Sequence, residues 1–200
     1  MRLGILGGSF NPLHNTHLEV ARRAREAHRL DQVLLIPAAS PPHKTTDLAP
    51  PSDRLAMTEL ACQGEHGLGV SAIEIEREGP SYTVDTLDEL ARTHPEAELF
   101  FLMGADSLQE FHTWREPERI LRLARIVVVN RPGYEIELTK EQFPQFSEAD
   151  LLRIERDQVR MPPSSIRATD VREAVRAGRS TADWVPPCVS SYIQKRRLYL

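Results

Sequence analysis

Two histidines three residues apart follow a pair of glycines near the start of the chain, in the stretch "GGSFNPLHNTH" at 7–17. Gly7 and Gly8 carry no side chain, so backbone amides there can approach a phosphate group closely. His14 and His17 would share one face at the start of a helix, where the helix dipole already favours anions. Two imidazoles can donate hydrogen bonds to one phosphate group. The stretch therefore predicts a phosphate-binding site.

Two other interpretations of the histidine pair stay open. One histidine could cap the helix while the other faces solvent. A His-x-x-His spacing can also place two metal ligands together, although the neighbouring sequence suggests no third ligand, and we predict no metal held by protein side chains. The stretch lacks the Gly-Lys-Ser/Thr of a P-loop and the spacing of the dinucleotide fingerprint. It therefore calls for a different phosphate chemistry.

The elements that must position these residues alternate between strands and helices. We predict strands at 2–6, 32–37, 69–75, 98–104 and 125–130, and helices at about 15–30, 53–62, 83–93 and 107–124. The strands are continuous apolar runs, as expected for a parallel sheet covered on both faces. Ligands of such sheets bind beyond the carboxyl ends of the strands. The sequence thus predicts an α/β protein with a Rossmann-like, doubly wound parallel sheet.

The last part of the chain has a different pattern. After Pro132 the sequence predicts short helices, the clearest at 147–155, 168–178 and 186–197. A length of 200 residues suits one well-filled core. We therefore predict a single domain over 1–200, with a small helical C-terminal part at about 145–200.

Composition limits the kinds of partner. A formal net charge of -4 gives no general basic surface, so a nucleic-acid partner is disfavoured. No apolar run approaches the roughly 18 residues that a membrane span needs, and the N-terminus does not resemble a signal peptide. We predict a cytoplasmic protein without a membrane partner. Cys62 and Cys188 suggest neither a disulfide framework nor a zinc site. A homo-oligomer stays an open alternative.

Several motifs resemble one enzyme family. The stretch at 7–17 is similar to the GG-T/S-F-D/N-P-x-H-x-G-H signature of the nucleotidylyltransferase superfamily. Further segments resemble, in order, the motifs of the bacterial nicotinate-nucleotide adenylyltransferases: 41–44, 81–87, 101–114, 127–134 and 185–199. The resemblance spans essentially the whole chain. It implies transfer of AMP from ATP to nicotinate mononucleotide, giving nicotinate adenine dinucleotide and pyrophosphate in NAD biosynthesis.

The resemblance also implies residue roles on the nucleotide side. His14 and His17 would contact the ATP phosphates and act in catalysis. The other residues expected to bind ATP there are Gly8, Ser9, Phe10, Gly104, Ala105, Asp106 and Arg131. Asp106 suits a ribose hydroxyl as an acceptor, with a helix N-cap before Ser107 as its alternative role. Magnesium would be held mainly by the ATP phosphates and water.

The acceptor side depends on fewer residues. Trp114 could stack on the pyridine ring or pack in the core, and Tyr82 with Thr83 could donate hydrogen bonds near the ring carboxylate. Lys44 would close over the phosphates from a Pro-rich loop, with a solvated lysine as the alternative. The implied reaction is a direct in-line attack by the acceptor phosphate on the α-phosphorus. Because that oxygen is already ionised, no general base is needed.

A phosphate motif that reads I-S-S/T-T-x-I-R in the family aligns best with 166–172. Thr169 and Arg172 are then the matching residues, and Arg167 replaces a hydroxyl. A guanidinium fork suits phosphate oxygens, so Arg167 is itself a candidate for ATP binding. Independently of the family, we predict Thr169 as the N-cap of a helix that ends at Gly178.

Thr16 is the other departure from the family pattern, because the signature has Gly at this position. A side chain there could narrow the approach to the nucleotide. Two alternatives therefore stay open: a sister adenylyltransferase that uses nicotinamide mononucleotide or phosphopantetheine, and a nucleotide-binding sensor without turnover.

Overall fold

Six parallel strands form the sheet of the structure, a computed structural model that describes residues 1–41, 47–130, 138–162 and 166–200. The strands are β1 (Arg2–Gly8), β2 (Gln32–Pro37), β3 (Leu68–Val70), β4 (Glu98–Gly104), β5 (Arg125–Asn130) and β6 (Val159–Arg160). Their order is β3-β2-β1-β4-β5-β6, and every neighbouring pair is parallel. The predicted parallel α/β sheet is confirmed.

Helices cover both faces of this sheet. They are α1 (Asn15–Ala27), α2 (Pro51–Cys62), α3 (Ile73–Glu76), α4 (Thr83–Thr93), α5 (Ala105–Gln109), α6 (Pro117–Leu123), α7 (Glu148–Arg156), α8 (Ala168–Arg176) and α9 (Pro187–Arg196). A 3₁₀ turn at Phe111–Thr113 separates α5 from α6. Among the described residues, none of these helices combines the length and the apolar character that a membrane span requires.

The side chains of the central strands alternate between two buried cores. In β4, Phe100 and Leu102 pack with α1, α2, α8 and α9 on one face, whereas Phe101 and Met103 pack with α4 to α7 on the other. This alternation follows from the period of two in a strand. Because both faces are covered, the strands are apolar throughout, which is why continuous apolar runs predicted them.

The direction of winding reverses between β1 and β4. The chain proceeds from β1 outward to β3, then returns to place β4 on the other side of β1. Ile5 lies opposite Phe101, and each strand continues three residues further, so Gly8 and Gly104 end the two strands at the same level. Such a switch point leaves a crevice at the carboxyl edge, where ligands of this architecture bind.

Two predicted elements differ from the structure. The segment at 69–75 is predicted to be one strand, but β3 ends at Val70 and α3 begins at Ile73. The helix expected at 107–124 is interrupted, because Glu116 adopts a left-handed conformation with φ of 50° and Pro117 begins a new helix. Proline has no N–H to continue a helix and disfavours helical geometry in the residue before it.

Glu74 of α3 is a buried carboxylate, only 7% exposed. Thr86 Oγ1 donates a hydrogen bond to Glu74 Oε1 at 2.8 Å, and Arg77 Nη2 donates to the same Thr86 hydroxyl at 2.9 Å. Burial raises the pKa of Glu74 above its ordinary value, because desolvation disfavours the charged form. The folded protein therefore holds this proton more tightly than the unfolded chain, and stability falls as pH rises through the folded-state pKa.

We expect Glu74→Gln to raise the Tm at about pH 7 by roughly 2–4 °C, because the neutral amide can still accept from Thr86 without the cost of a buried charge. The gain should shrink as the pH is lowered below about 4, where the wild-type carboxyl becomes protonated in both states. Thermal unfolding monitored by circular dichroism measures both values. Glu76→Gln, an exposed change in the same helix, is the matched control, and a lower Tm for Glu74→Gln at neutral pH would contradict this account.

Candidate active site

The loop between β1 and α1, residues 9–14, lies at the crevice and is called here the first-strand loop. Phe10 is buried and adopts a left-handed φ of 42°, which turns the chain sharply after the strand. A Cβ at Gly8 would lie 3.1 Å from the Phe10 ring. Glycine therefore lets the ring fold back against the strand end. The Phe10 ring also contacts the His17 ring edge-on, with centroids 5.1 Å apart.

The structure brings the two predicted histidines into contact. Their rings are stacked with centroids 3.7 Å apart and planes inclined by 29°. His14 is the N-cap residue of α1 and is 2% exposed, whereas His17, in the first turn, is half-buried. The pair therefore lies where the helix N-terminus favours an anion.

A backbone hydrogen bond determines which His17 nitrogen carries the proton. The backbone N–H of His14 donates to His17 Nδ1 at 3.2 Å. A nitrogen that accepts a hydrogen bond carries no proton, so the neutral ring has its proton on Nε2. His17 can therefore cap the helix and also bind a ligand, because capping uses Nδ1 and Nε2 is the donor nitrogen.

A buried arginine holds the first-strand loop in place. It was not among the predicted site residues. Arg54 of α2 is 1% exposed. Its Nη1 donates to the carbonyl of Ser9 at 2.8 Å, its Nη2 to that of Ala39 at 3.1 Å, and its Nε to that of Ala49 at 3.0 Å. Burial lowers the pKa of Arg54, but a guanidinium stays charged at neutral pH. One cation thus connects the segments that follow β1 and β2.

The period of α2 contains the signal that could have identified Arg54. Its buried positions include Met57, Thr58 and Ala61, three, four and seven residues further along the helix. A charged residue in this buried series requires compensating hydrogen bonds. The spacing places Arg54 inside the protein, but it does not identify the carbonyls that it contacts.

Asn11 connects the first-strand loop to distant parts of the chain. Its Nδ2 donates to the carbonyl of Asp47 at 2.6 Å. Its Oδ1 accepts from the backbone N–H of Ala49 at 3.0 Å and from the hydroxyl of Tyr199 at 2.9 Å. Its own carbonyl accepts from Arg172 Nη1 at 2.9 Å. The predicted residue Arg172 therefore lies beside the loop.

Asp47 forms ion pairs with two arginines of α8 beside the first-strand loop. Arg172 Nε lies 2.9 Å from Asp47 Oδ2, and Arg176 pairs with the other carboxylate oxygen. The Arg172 and Arg176 guanidinium groups hold the pKa of Asp47 below its ordinary value. Arg176 was not among the predicted site residues, although its spacing of four residues from Arg172 places both on one helix face.

The N-terminus of α8 differs from the prediction. Arg167, and not Thr169, is the N-cap residue, and Thr169 is exposed within the first turn. Asp170 accepts from the backbone N–H of Arg167 at 2.9 Å and pairs with its guanidinium, so this carboxylate caps the helix from inside. Gly178 follows the helix end with φ of 64°, as predicted.

The end of β4 forms the other side of the crevice. A Cβ at Gly104 would lie 2.4 Å from Asp106 Oδ1, so glycine leaves room for the position that this carboxylate adopts beside the strand end. Gly104 is the N-cap residue of α5, and the alternative assignment of Asp106 as the N-cap is wrong. Asp106 is exposed and accepts from the backbone N–H of Ser107 at 2.9 Å. Its position at the switch point suits a hydroxyl-bearing ligand.

A cavity of about 450 Å³ lies between the start of α4 and the segment before α6. It brings together the predicted residues Tyr82, Thr83 and Trp114; its lining is completed by Ser81, Thr113, Arg115 and Ile120. Trp114 packs on the core, as in one of its two expected roles, with ring centroids 5.9 and 5.5 Å from those of Phe101 and Phe111. It also lines the cavity. The side chain is therefore fixed before any ligand enters.

Two hydrogen bonds between Ser40 and Ser81 join the cavity to the crevice. Ser81 N–H donates to the carbonyl of Ser40 at 3.1 Å, and Ser40 N–H donates to Ser81 Oγ at 3.2 Å. Ser40 follows β2 on the same edge of the sheet as the first-strand loop. A ligand that extends from the crevice into the cavity would therefore follow this edge.

Three positions singled out in the sequence remain: Lys44, Arg131 and Thr16. Lys44 and Arg131 lie outside the described residues. Thr16 is 7% exposed, so little of its side chain faces open space beside the first-strand loop.

Across residues 1–41, 47–130, 138–162 and 166–200, no cluster of three or more His, Cys, Asp or Glu side chains is placed to hold a metal ion.

The fold and the site define a protein class. Residues 5–174 match the model of the cytidylyltransferase-like family. A protein of Thermus thermophilus named "probable nicotinate-nucleotide adenylyltransferase" is 43% identical over 199 residues, which covers 100% of both chains. A Roseiflexus protein of the same name is 44% identical over 200 residues, covering 98% of this chain and 97% of that one. The chain therefore belongs to the nicotinate-nucleotide adenylyltransferase family.

Solved structures agree with this fold. The Plasmodium falciparum nicotinic acid mononucleotide adenylyltransferase complexed with NaAD superposes with a TM-score of 0.79 at 18% identity, covering 99% of this chain and 97% of that chain. The same protein complexed with APC gives a TM-score of 0.75, also at 18% identity, with 99% of this chain and 96% of that one covered. At this identity the similarity establishes the fold alone.

We expect Arg54→Met to lower the free energy of unfolding by about 3–5 kcal/mol, because three carbonyl groups would lose a charged donor. The Tm should fall by roughly 10 °C in a thermal unfolding experiment. Arg23→Met is the matched control, since Arg23 is an exposed arginine of α1 whose partner is Glu19, and it should change the free energy by less than about 1 kcal/mol. Equal effects of the two substitutions would contradict the role of Arg54.

Proposed function

We propose that this protein transfers AMP from ATP to nicotinate mononucleotide, forming nicotinate adenine dinucleotide and pyrophosphate in the cytoplasm as a step of NAD biosynthesis. The observation that supports the proposal is that a crevice and a cavity lie along one edge of the sheet. A crevice with stacked histidines at a helix N-terminus suits the phosphates of a nucleotide. An aromatic cavity beside it suits a pyridine ring.

On the nucleotide side, we assign the phosphates to the first-strand loop and the histidine pair. Gly8, Ser9 and Phe10 would contribute backbone contacts, and His17 Nε2 would donate to a phosphate oxygen. Ala105, Gly104 and Asp106 would contact the adenosine, with the exposed Asp106 carboxylate as a ribose acceptor. Arg172 lies beside the loop through its contact with Asn11. Thr169, Arg167 and Arg131 complete the proposed ATP site.

On the acceptor side, Trp114 would stack on the pyridine ring. Its contacts with Phe101 and Phe111 fix the ring, so little side-chain entropy is lost on binding. Tyr82 and Thr83 begin α4, where backbone N–H groups favour an anionic group such as the ring carboxylate. Lys44 is the proposed cation of the loop that follows β2.

The reaction requires two anions to be held in line. The phosphate oxygen of the acceptor would attack the α-phosphorus of ATP, and the bond to the pyrophosphate would break. Since the attacking oxygen is ionised at neutral pH, the chain supplies position and charge and no general base. His14, His17 and the arginines of α8 would stabilise the negative charge that builds on the leaving pyrophosphate. ATP enters as its complex with a divalent cation, magnesium in this proposal, held by phosphate oxygens and water.

The direct test is pyrophosphate release by the purified protein with ATP and magnesium. Nicotinate mononucleotide, nicotinamide mononucleotide and phosphopantetheine are supplied as separate acceptors. Fastest release with nicotinate mononucleotide, with nicotinate adenine dinucleotide as the product, is the expected result. Fastest release with another acceptor would favour a sister enzyme. Binding of ATP without release from any acceptor would favour a sensor.

We expect His17→Ala to lower kcat by roughly 10²-fold or more, because one fixed donor to the developing negative charge is lost. Steady-state pyrophosphate release measures this value, and the Tm of the variant shows whether it folds. His66→Ala, an exposed histidine between α2 and β3, is the control and should leave kcat unchanged. A His17→Ala enzyme with near wild-type kcat would overturn the role of His17.

A further inference from the structure

The acceptor cavity has one feature that the family resemblance did not assign, a positive charge at its wall. Its described lining contains Arg115 beside the aromatic and hydroxyl side chains of Tyr82, Thr83 and Trp114. Arg115 and Trp114 line the same cavity, so a group that stacks on the tryptophan there comes near the guanidinium. A cation in this position attracts a ring substituent that carries negative charge.

Contacts with the start of α4 and with Glu116 hold Arg115 against the cavity. Its Cζ lies 4.9 Å from the centroid of the Tyr82 ring, which places the cation over the aromatic face. Nη1 lies 3.4 Å from Asp85 Oδ2, and Nε lies 3.8 Å from Glu116 Oε1. The side chain is 50% exposed. These contacts orient the guanidinium at the lip of the cavity.

The ion pairs of Arg115 are long, and they leave donors available to a ligand. Both distances exceed the 2.7–2.9 Å of a strong charge-assisted bond. They involve Nη1 and Nε, whereas a guanidinium carries five N–H donors in a planar fork. A carboxylate matches two parallel donors of this fork, but a neutral carboxamide offers a single oxygen and no charge.

We propose that Arg115 is a specificity-determining residue that makes the cavity prefer an acceptor with a ring carboxylate over one with a ring carboxamide. This inference rests on the proposed function. The guanidinium attracts the carboxylate of nicotinate mononucleotide, while Trp114 holds the ring of either acceptor. The preference therefore comes from charge, and the stacking surface contributes equally to both ligands.

A purely structural role makes a different prediction. Arg115 connects α4, through Asp85, to Glu116 at the start of α6. If its sole role were to hold these elements together, its loss would weaken both acceptors to the same degree. The ratio between the two acceptors therefore separates the roles.

The test compares the Kd of nicotinate mononucleotide and of nicotinamide mononucleotide by titration calorimetry, together with kcat/KM for each. In Arg115→Gln we expect affinity for nicotinate mononucleotide to fall roughly fivefold or more, with little change for the amide, as for the loss of a half-exposed ion pair. Arg115→Lys keeps the charge and should restore part of the preference. Arg119→Gln, which pairs with Asp88 and Glu116 outside the cavity lining, is the matched control.

An equal loss for both acceptors, or an unchanged ratio, would overturn the role of Arg115. The calorimetric ratio does not depend on turnover, so the two proposals fail separately. If the wild-type protein binds the carboxylate more tightly and Arg115→Gln abolishes this preference, the role of Arg115 is supported even when no pyrophosphate is released. The absence of pyrophosphate release would instead contradict the proposed adenylyltransferase activity. A wild-type protein without preference between the acceptors would count against Arg115.

Discussion

The buried guanidinium of Arg54 is the interaction on which the site depends. A charge removed from water must be compensated, and three backbone carbonyls from separate segments provide the compensation. The first-strand loop thereby has a fixed position relative to the loop after β2. The same charge stays beneath the loop that we assign to phosphates, so it adds to the positive end of α1 in attracting an anion.

The second constraint is that the two subsites that we propose lie along one edge of the sheet. β1 and β4 end level with each other, and the crevice forms between them. The hydrogen bonds between Ser40 and Ser81 then connect this edge to the aromatic cavity. In the proposed reaction both reactants are anions and repel each other, and no general base is needed. Holding the two reactants in line is then the main contribution that the protein can make to the rate.

The sequence predicts the sheet well because its signal is local. The runs at 32–37, 98–104 and 125–130 are strands with the predicted bounds, since burial on both faces leaves no other pattern. The histidine pair and the cavity residues beside Trp114 were also predicted, the latter from the family resemblance. The N-cap at Thr169 was wrong because a carboxylate inside the helix took over the capping role. Arg54 and Arg176 were missed because both lie in helices whereas the groups that they contact lie in loops. No spacing rule connects a helix residue to such a partner.

The hydrogen bonds of Asn11 have a consequence for the order of folding. Its bond with Tyr199 joins positions 188 residues apart, and its bond with Arg172 joins positions 161 residues apart. Closing such long loops costs chain entropy that only a preformed scaffold offsets. We therefore expect the sheet to assemble before the first-strand loop acquires its final shape. A partly folded chain would contain the strands but lack the fixed loop, so the ability to bind nucleotide would arrive late on the folding pathway.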